Sequence, residues 1–286
     1  PRPPAPDALA IDHLMNLDVG PLRLLGYAQP AGEAQAGGTL PIALLWQRRQ
    51  AGPAPFTLAL ELRQGAQTWR RQAARPLSPA YPPDQWAPGE VVREQWSALL
   101  PSQAPAGRYE LALIIGQGAG GPEVVAPLGP ITIVTRPHRT DLPQPQFPLD
   151  VTLSNAAHQP VARLLGYDRQ PGPATPGGTL DLTLYWQALA EMDTAYKVFV
   201  HLIDENGQIR AQEDHPPLKG EAPTTGWVPG EVLQDPYQIS LPSDLLPGLY
   251  SLRTGLYDPV TGQRLSVAEG HGAADSVELF QIEMTP

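Results

Sequence analysis

Cysteine is absent from the chain. That removes disulfides, thiolate metal sites and a cysteine nucleophile. Lysine occurs only at Lys197 and Lys219, so there is no polybasic patch for anionic lipid headgroups. No apolar run approaches the roughly 18 residues that span a bilayer as a helix, so this segment is not expected to insert into a membrane. There is no His-Glu-x-x-His pair, no Gly-x-Ser-x-Gly elbow and no Gly-Lys-Ser/Thr phosphate loop. Charged residues make up only 17 % of the chain, and few segments would sustain a long helix.

What is abundant is proline and glycine, 36 and 27 of the 286 residues. They show no short period, and 42 % of the chain is hydrophobic. This excludes collagen, coiled coil and full disorder. The length matches two domains of roughly 100–200 residues each. The charge is uneven. Residues 1–146 carry 12 Arg against 11 Asp/Glu, whereas residues 147–286 carry 7 Arg/Lys against 18 Asp/Glu. An acidic field of this kind opposes docking on phosphate backbones, so no nucleic-acid partner is expected. The chain begins Pro1-Arg2-Pro3-Pro4, without an initiator Met or an apolar leader. It reads as a part excised from a longer protein.

The chain contains an internal repeat. Leu24-Leu25-Gly26-Tyr27 recurs as Leu164-Leu165-Gly166-Tyr167, Gly37-Gly38-Thr39-Leu40 as Gly177-Gly178-Thr179-Leu180, and Trp46-Gln47 as Trp186-Gln187, all at an offset of 140. The same offset places Leu9 and Ile11 on Leu149 and Val151. One residue further on, at 141, Trp86-Ala87-Pro88-Gly89-Glu90-Val91 matches Trp227-Val228-Pro229-Gly230-Glu231-Val232, and Gly107-Arg108-Tyr109 matches Gly248-Leu249-Tyr250. A period this long exceeds a solenoid unit of roughly 20–50 residues, so each copy is read as a whole domain. The domains are 7–136 and 147–286, joined by a proline-bearing linker at 137–146.

Within each copy the apolar pattern has period two, as in Leu180, Leu182, Leu184, Trp186 and in Val198, Val200, Leu202. That marks strands buried on one face. Asn206-Gly207 predicts a two-residue hairpin that sets His201 opposite Gln212. Trp-x-Pro-Gly-Glu predicts a Pro-Gly type II turn. Asp258–Gly262 and the glycine-rich Gly116–Gly121 read as hairpin loops. The expected fold class is all-β: two tandem antiparallel β-sandwich domains, immunoglobulin-like in the broad sense, related by the internal repeat.

The second copy resembles a known module. The strings at 164–168 (Leu-Leu-Gly-Tyr-Asp), 177–180, 184–188 (Leu-Tyr-Trp-Gln-Ala), 198–204 (Val-Phe-Val-His-Leu-Ile-Asp), 227–232 and 255–258 resemble the module appended to Chloroflexi-type glycosyltransferase family 39-like membrane proteins. The resemblance covers most of residues 149–283, and the first copy matches more loosely. It implies an extracytoplasmic β-sandwich without catalytic residues, the transferase chemistry residing in membrane segments outside this chain.

Trp46 and Trp186 alternate inward and are expected in the core. Trp86 and Trp227, at the turns, and Tyr237 are the candidate ligand-binding aromatics, since loop aromatics offer flat faces to sugar rings. Asp204, Glu205, Glu213 and Asp214 around the hairpin form a candidate calcium cluster, although the loop lacks the closing bidentate Glu. The alternative is a plain hairpin with solvated acids, and no cofactor is expected. None of His13, His138, His158, His201, His215 and His271 forms a tight zinc pair. Paired carboxylates of a glycoside hydrolase would be spatial rather than sequential. The expected function is a non-catalytic, extracytoplasmic accessory or spacer module of a larger bacterial cell-envelope protein, its partner an envelope protein or a glycan. A carbohydrate-binding module is the alternative, and a hydrolase the third reading. Burial of Trp86 and Trp227 would favour the spacer.

Overall fold

The computed structural model describes residues 11–30, 32–52, 55–69, 74–118, 121–170, 174–267 and 272–284. Pro1–Pro4, Leu9, His271 and part of Gly116–Gly121 lie outside them. The chain divides into two compact units, Pro1–Arg136 and Pro137–Pro286. The first contains β1 (His13–Val19), β2 (Leu22–Ala28), β3 (Glu33–Gln35), β4 (Thr39–Arg48), β5 (Phe56–Gln64), β6 (Gln67–Trp69), β7 (Arg75–Pro76), β8 (Val91–Leu99), β9 (Gly107–Gln117) and β10 (Glu123–Val134). The second contains β11 (Phe147–Ser154), β12 (Pro160–Arg169), β13 (Thr179–Ala188), β14 (Lys197–Ile203), β15 (Ile209–His215), β16 (Val232–Ser240), β17 (Gly248–Tyr257), β18 (Ser266–Val267), β19 (Gly272–Ala273) and β20 (Ser276–Met284).

Strand order is shared. One sheet runs β1-β2-β4-β8 in the first unit and β16-β13-β12-β11-β18 in the second. The other runs β3-β10-β9-β5-β6 and β15-β14-β17-β20-β19. Each unit encloses one main core to which both sheets contribute, Trp46 and Leu58 in the first and Trp186 and Val200 in the second. This is an all-β sandwich in each unit, with Trp46 and Trp186 fully buried as the alternation predicts. The repeated Leu-Leu-Gly-Tyr string also has a structural reason. Leu24 and Leu164 point into the cores, and both strands then shift register just before Gly26 and Gly166. After that shift, Tyr27 and Tyr167 donate their hydroxyls to Leu128 O and Leu279 O of the opposite sheets, at 2.7 and 3.0 Å.

The Gly-x-Tyr repeat is a tyrosine corner, a feature of immunoglobulin-type sandwiches. Tyr109 donates to Pro105 O at 2.7 Å and Tyr250 to Leu246 O at 2.9 Å. Each bond ties the start of a central strand to the loop before it. Tyr109→Phe and Tyr250→Phe are each expected to lower stability by about 1 kcal/mol. Urea denaturation of the full chain, read as a shift in midpoint at unchanged slope, checks this.

One expectation is corrected. The offset of 140 fails for the first strand. Val151 faces Leu164, and the residue facing Leu24 is Leu17, so Leu17 rather than Ile11 corresponds to Val151. The reason is turn length. Gly20-Pro21 alone separates Val19 from Leu22, whereas residues 154–161 separate the equivalent Leu153 and Ala162. Residues 137–146, read from the sequence as a proline-bearing linker, cluster with the second unit and are tied to it. Arg139 O accepts from Val232 N at 2.7 Å, His138 Nδ1 lies 2.9 Å from Glu231 Oε2, and Gln146 N donates to Asp168 Oδ1 at 2.7 Å. Pro145 passes so close to β12 that a Cβ at Gly166 would come within 2.6 Å of it.

Candidate functional site

The Trp-x-Pro-Gly-Glu stretches were the strongest candidates for ligand contact, and their geometry is alike in both units. Each follows a short 3-10 turn, Pro83–Gln85 or Thr224–Gly226. Gly89 and Gly230 adopt φ of 85° and 88°, and the amides of Glu90 and Glu231 close on the carbonyls of Ala87 and Val228 at 2.9 Å. This is the expected type II turn, with Pro at its second position and Gly at its third. The carboxylates of Glu90 and Glu231 fold back onto the amides of Ala87 and Val228 at 2.7 and 3.1 Å. The indoles donate to Tyr81 O and Ala222 O at 2.7 and 2.9 Å.

The ring faces are therefore not offered to a ligand. Trp86 is 3 % exposed, Trp227 0 % and Tyr237 3 %, which corrects their placement as stacking platforms. Burying an indole removes a large apolar area from water, and the loop itself supplies an acceptor for the N–H, so burial carries no polar penalty. Tyr237 lies within β16 rather than in a loop.

The acidic hairpin also turns on itself. Asp204 Oδ1 accepts from the amides of Asn206 and Gln208, both at 2.9 Å. Gly207 N closes on Asp204 O, and the ladder shifts between Leu202 and Ile203. The turn is one residue longer than the Asn-Gly reading, with a compensating bulge, so His201 still faces Gln212. His201 Nε2 lies 3.1 Å from Asp214 Oδ1. Among the described residues no group of three or more His, Asp or Glu side chains converges as metal ligands would.

Sequence reading missed a buried polar cluster in the second unit. Asp235 is 0 % exposed, and its carboxylate accepts from the Tyr237 hydroxyl at 2.7 Å and from Leu218 N at 2.9 Å. His215 stacks on Tyr237 with ring centroids 4.2 Å apart and planes 4° from parallel. Burial pushes the Asp235 carboxyl above its usual range, against the pull of its two hydrogen bonds and of nearby His215. Burial and the adjacent Asp235 push the Tyr237 hydroxyl up. The first unit builds the same strut from other residues. Arg75 pairs with Glu94 at 2.7 Å and lies over Trp96 at 5.5 Å. Arg75 faces Leu58 as His215 faces Val198. The signal was available in the repeat offsets, which place Glu94 on Asp235 and Trp96 on Tyr237.

A depression of about 540 Å³ lies on the second unit. That falls within the range of roughly 300–1,000 Å³ typical of small-molecule sites. Strands β12, β13 and β16 supply Asp168, Asp181, Thr183 and Gln238, Lys219 comes from the turn after β15, and Gln146 comes from the tethered segment. The Tyr185 hydroxyl donates to Asp168 Oδ2 at 2.6 Å, and burial with this bond pushes that hydroxyl up to about 12. Gln238 Nε2 donates to Asp181 Oδ1 at 3.0 Å. Lys219 stands in the left-handed region at φ 54°, following Leu218 at φ 51°.

No protein-family model and no curated protein matches the chain. Among solved structures it is similar to dimeric latent PorU from Porphyromonas gingivalis, at 12 % identity and a TM-score of 0.26, over 99 % of this chain and 21 % of that one. It is also similar to a Corynebacterium diphtheriae protein described as membrane anchored, at 10 % identity and a TM-score of 0.22, over 91 % and 58 %. Red sea bream transglutaminase shows 8 % identity and a TM-score of 0.23, over 94 % and 32 %. The chain thus spans less than two thirds of each of these proteins, and likenesses at such scores carry no functional weight.

Proposed function

We propose that the chain is a non-catalytic accessory or spacer module of a larger bacterial cell-envelope protein, held on the extracytoplasmic side. One observation supports this above others. The residues that recur between the two copies are spent on the fold itself. Tyr27 and Tyr167 bridge the sheets, Tyr109 and Tyr250 pin the corners, and Trp86 and Trp227 seal the loops. A sandwich whose recurring residues satisfy one another carries no catalytic group among them. The placement outside the cytoplasm rests on the resemblance of residues 149–283 to the module appended to family 39-like membrane glycosyltransferases.

Antibodies raised against the chain should label intact cells of the source organism. Labelling that appears only after permeabilisation would overturn the placement. Purified chain should give no turnover of nitrophenyl glycosides or esters above buffer. Turnover that copurifies with the chain would overturn the non-catalytic reading.

A further inference from the structure

The groove of the second unit has a counterpart position in the first, and the two differ in a telling way. The ladders align Asp168–Thr183 with Ala28–Ala43, and Asp181–Gln238 with Pro41–Ser97. A polar group required by the sandwich itself would be present in both copies. Pro41 and Ala43 stand where Asp181 and Thr183 do, so the shared sandwich does not require a polar group at either place.

We infer that this groove is a binding site for a neutral glycan, the pyranose ring seated over Asp181, Thr183 and Gln238 beneath the Lys219 ammonium. The chemistry of the wall selects this class. Asp181 Oδ1 is held by Gln238, while its second oxygen is free to accept a sugar hydroxyl among the described residues. Gln238 adds an amide that both donates and accepts, and Thr183 a hydroxyl. Lys219 has no ion-pair partner among the described residues and supplies a donor for ring or hydroxyl oxygens. Pro236, exposed on β16, provides the apolar edge that sugar C–H groups need. An anionic polymer would meet Asp168 and Asp181 in a strongly acidic half of the chain, and a cationic one would meet Lys219 and Arg169. A polyol with several hydroxyls and no net charge satisfies the donors and acceptors without burying an unpaired charge.

The position of Lys219 is fixed rather than incidental. Leu218 and Lys219 are two successive non-glycine residues in the left-handed region, a conformation that persists only where the surroundings hold it. The turn is held by the bond from Leu218 N to the buried Asp235 and by Glu221 N donating to Leu218 O. The inference goes beyond the module reading. A spacer without a glycan site would still be a spacer, so the two can fail separately.

The test is affinity electrophoresis of the full chain through gels containing dextran, mannan or galactan, with dextran sulfate as the charged comparison. At least one neutral polysaccharide should retard the chain. Asp181→Ala and Lys219→Met should each weaken retardation ten-fold or more. Ser97→Ala, at the position in the first unit matching Gln238, should leave it unchanged, with all variants melting as the parent does. Retardation by none of the three neutral polymers overturns the inference. So does retardation by dextran sulfate alone, or retardation that neither groove variant alters.

Discussion

Trp227→Ala is expected to destabilise the second unit by about 3–5 kcal/mol, the range for removing a large buried aromatic. The ring is fully buried, and its N–H donates to Ala222 O at 2.9 Å. Truncation therefore opens a cavity and also leaves that carbonyl without its partner. A loss of this size is a large share of a stability of roughly 5–15 kcal/mol for a whole domain. Trp227→Phe keeps most of the apolar volume and gives up the hydrogen bond, so its cost should be intermediate. Trp86→Ala should act alike in the first unit, because the loop geometry is the same. Urea denaturation of the full chain, followed by far-ultraviolet circular dichroism, reads all three. A cost below about 1 kcal/mol for Trp227→Ala would mean that the loop does not seal the core as described.

The strands and the repeat were legible because a strand alternates with period two, and because turn chemistry marks where it stops. Trp46 and Trp186 could be assigned to the core from alternation alone. Trp86 and Trp227 could not, since they stand beside Pro-Gly-Glu, a polar turn string, and only the fold-back of that turn buries them. The inward set of β16 is Leu233, Asp235, Tyr237 and Ile239. An aspartate in that series reads as a break in the apolar face, and its partners Leu218 and Tyr237 become apparent only once the turn after β15 is in place. The groove was illegible for a different reason. It joins three strands, one turn and the segment at 137–146, and no sequence spacing records that convergence.

The Asp235 carboxylate gives the most direct view of this cost. Asp235→Ala strands the Tyr237 hydroxyl and the Leu218 amide in a dry site, and is expected to cost about 2–4 kcal/mol. Asp235→Asn keeps an acceptor for Leu218 and a polar partner for Tyr237 while removing the charge, so it isolates the electrostatic part. The folded-state pKa of Asp235 is raised above the usual 3.8. The folded chain thus holds the proton more tightly than the unfolded one. The contribution of Asp235 to stability is then fullest below pH 3.8 and is lost as pH rises through the raised folded value. Stability of Asp235→Asn relative to the parent should climb over that window and level off above it. The groups acting on the carboxylate are the Tyr237 hydroxyl, the Leu218 amide and His215, while Glu213 and Asp214 act on Tyr237. A parallel scan of His215→Gln separates the imidazole's contribution. If the Asp235→Asn difference were flat from pH 4 to 8, the folded and unfolded chains would bind the same number of protons there, and the raised folded pKa would be overturned. The hydrogen bonds from Tyr237 and Leu218 and the nearby His215 would then fully offset the burial of the charge.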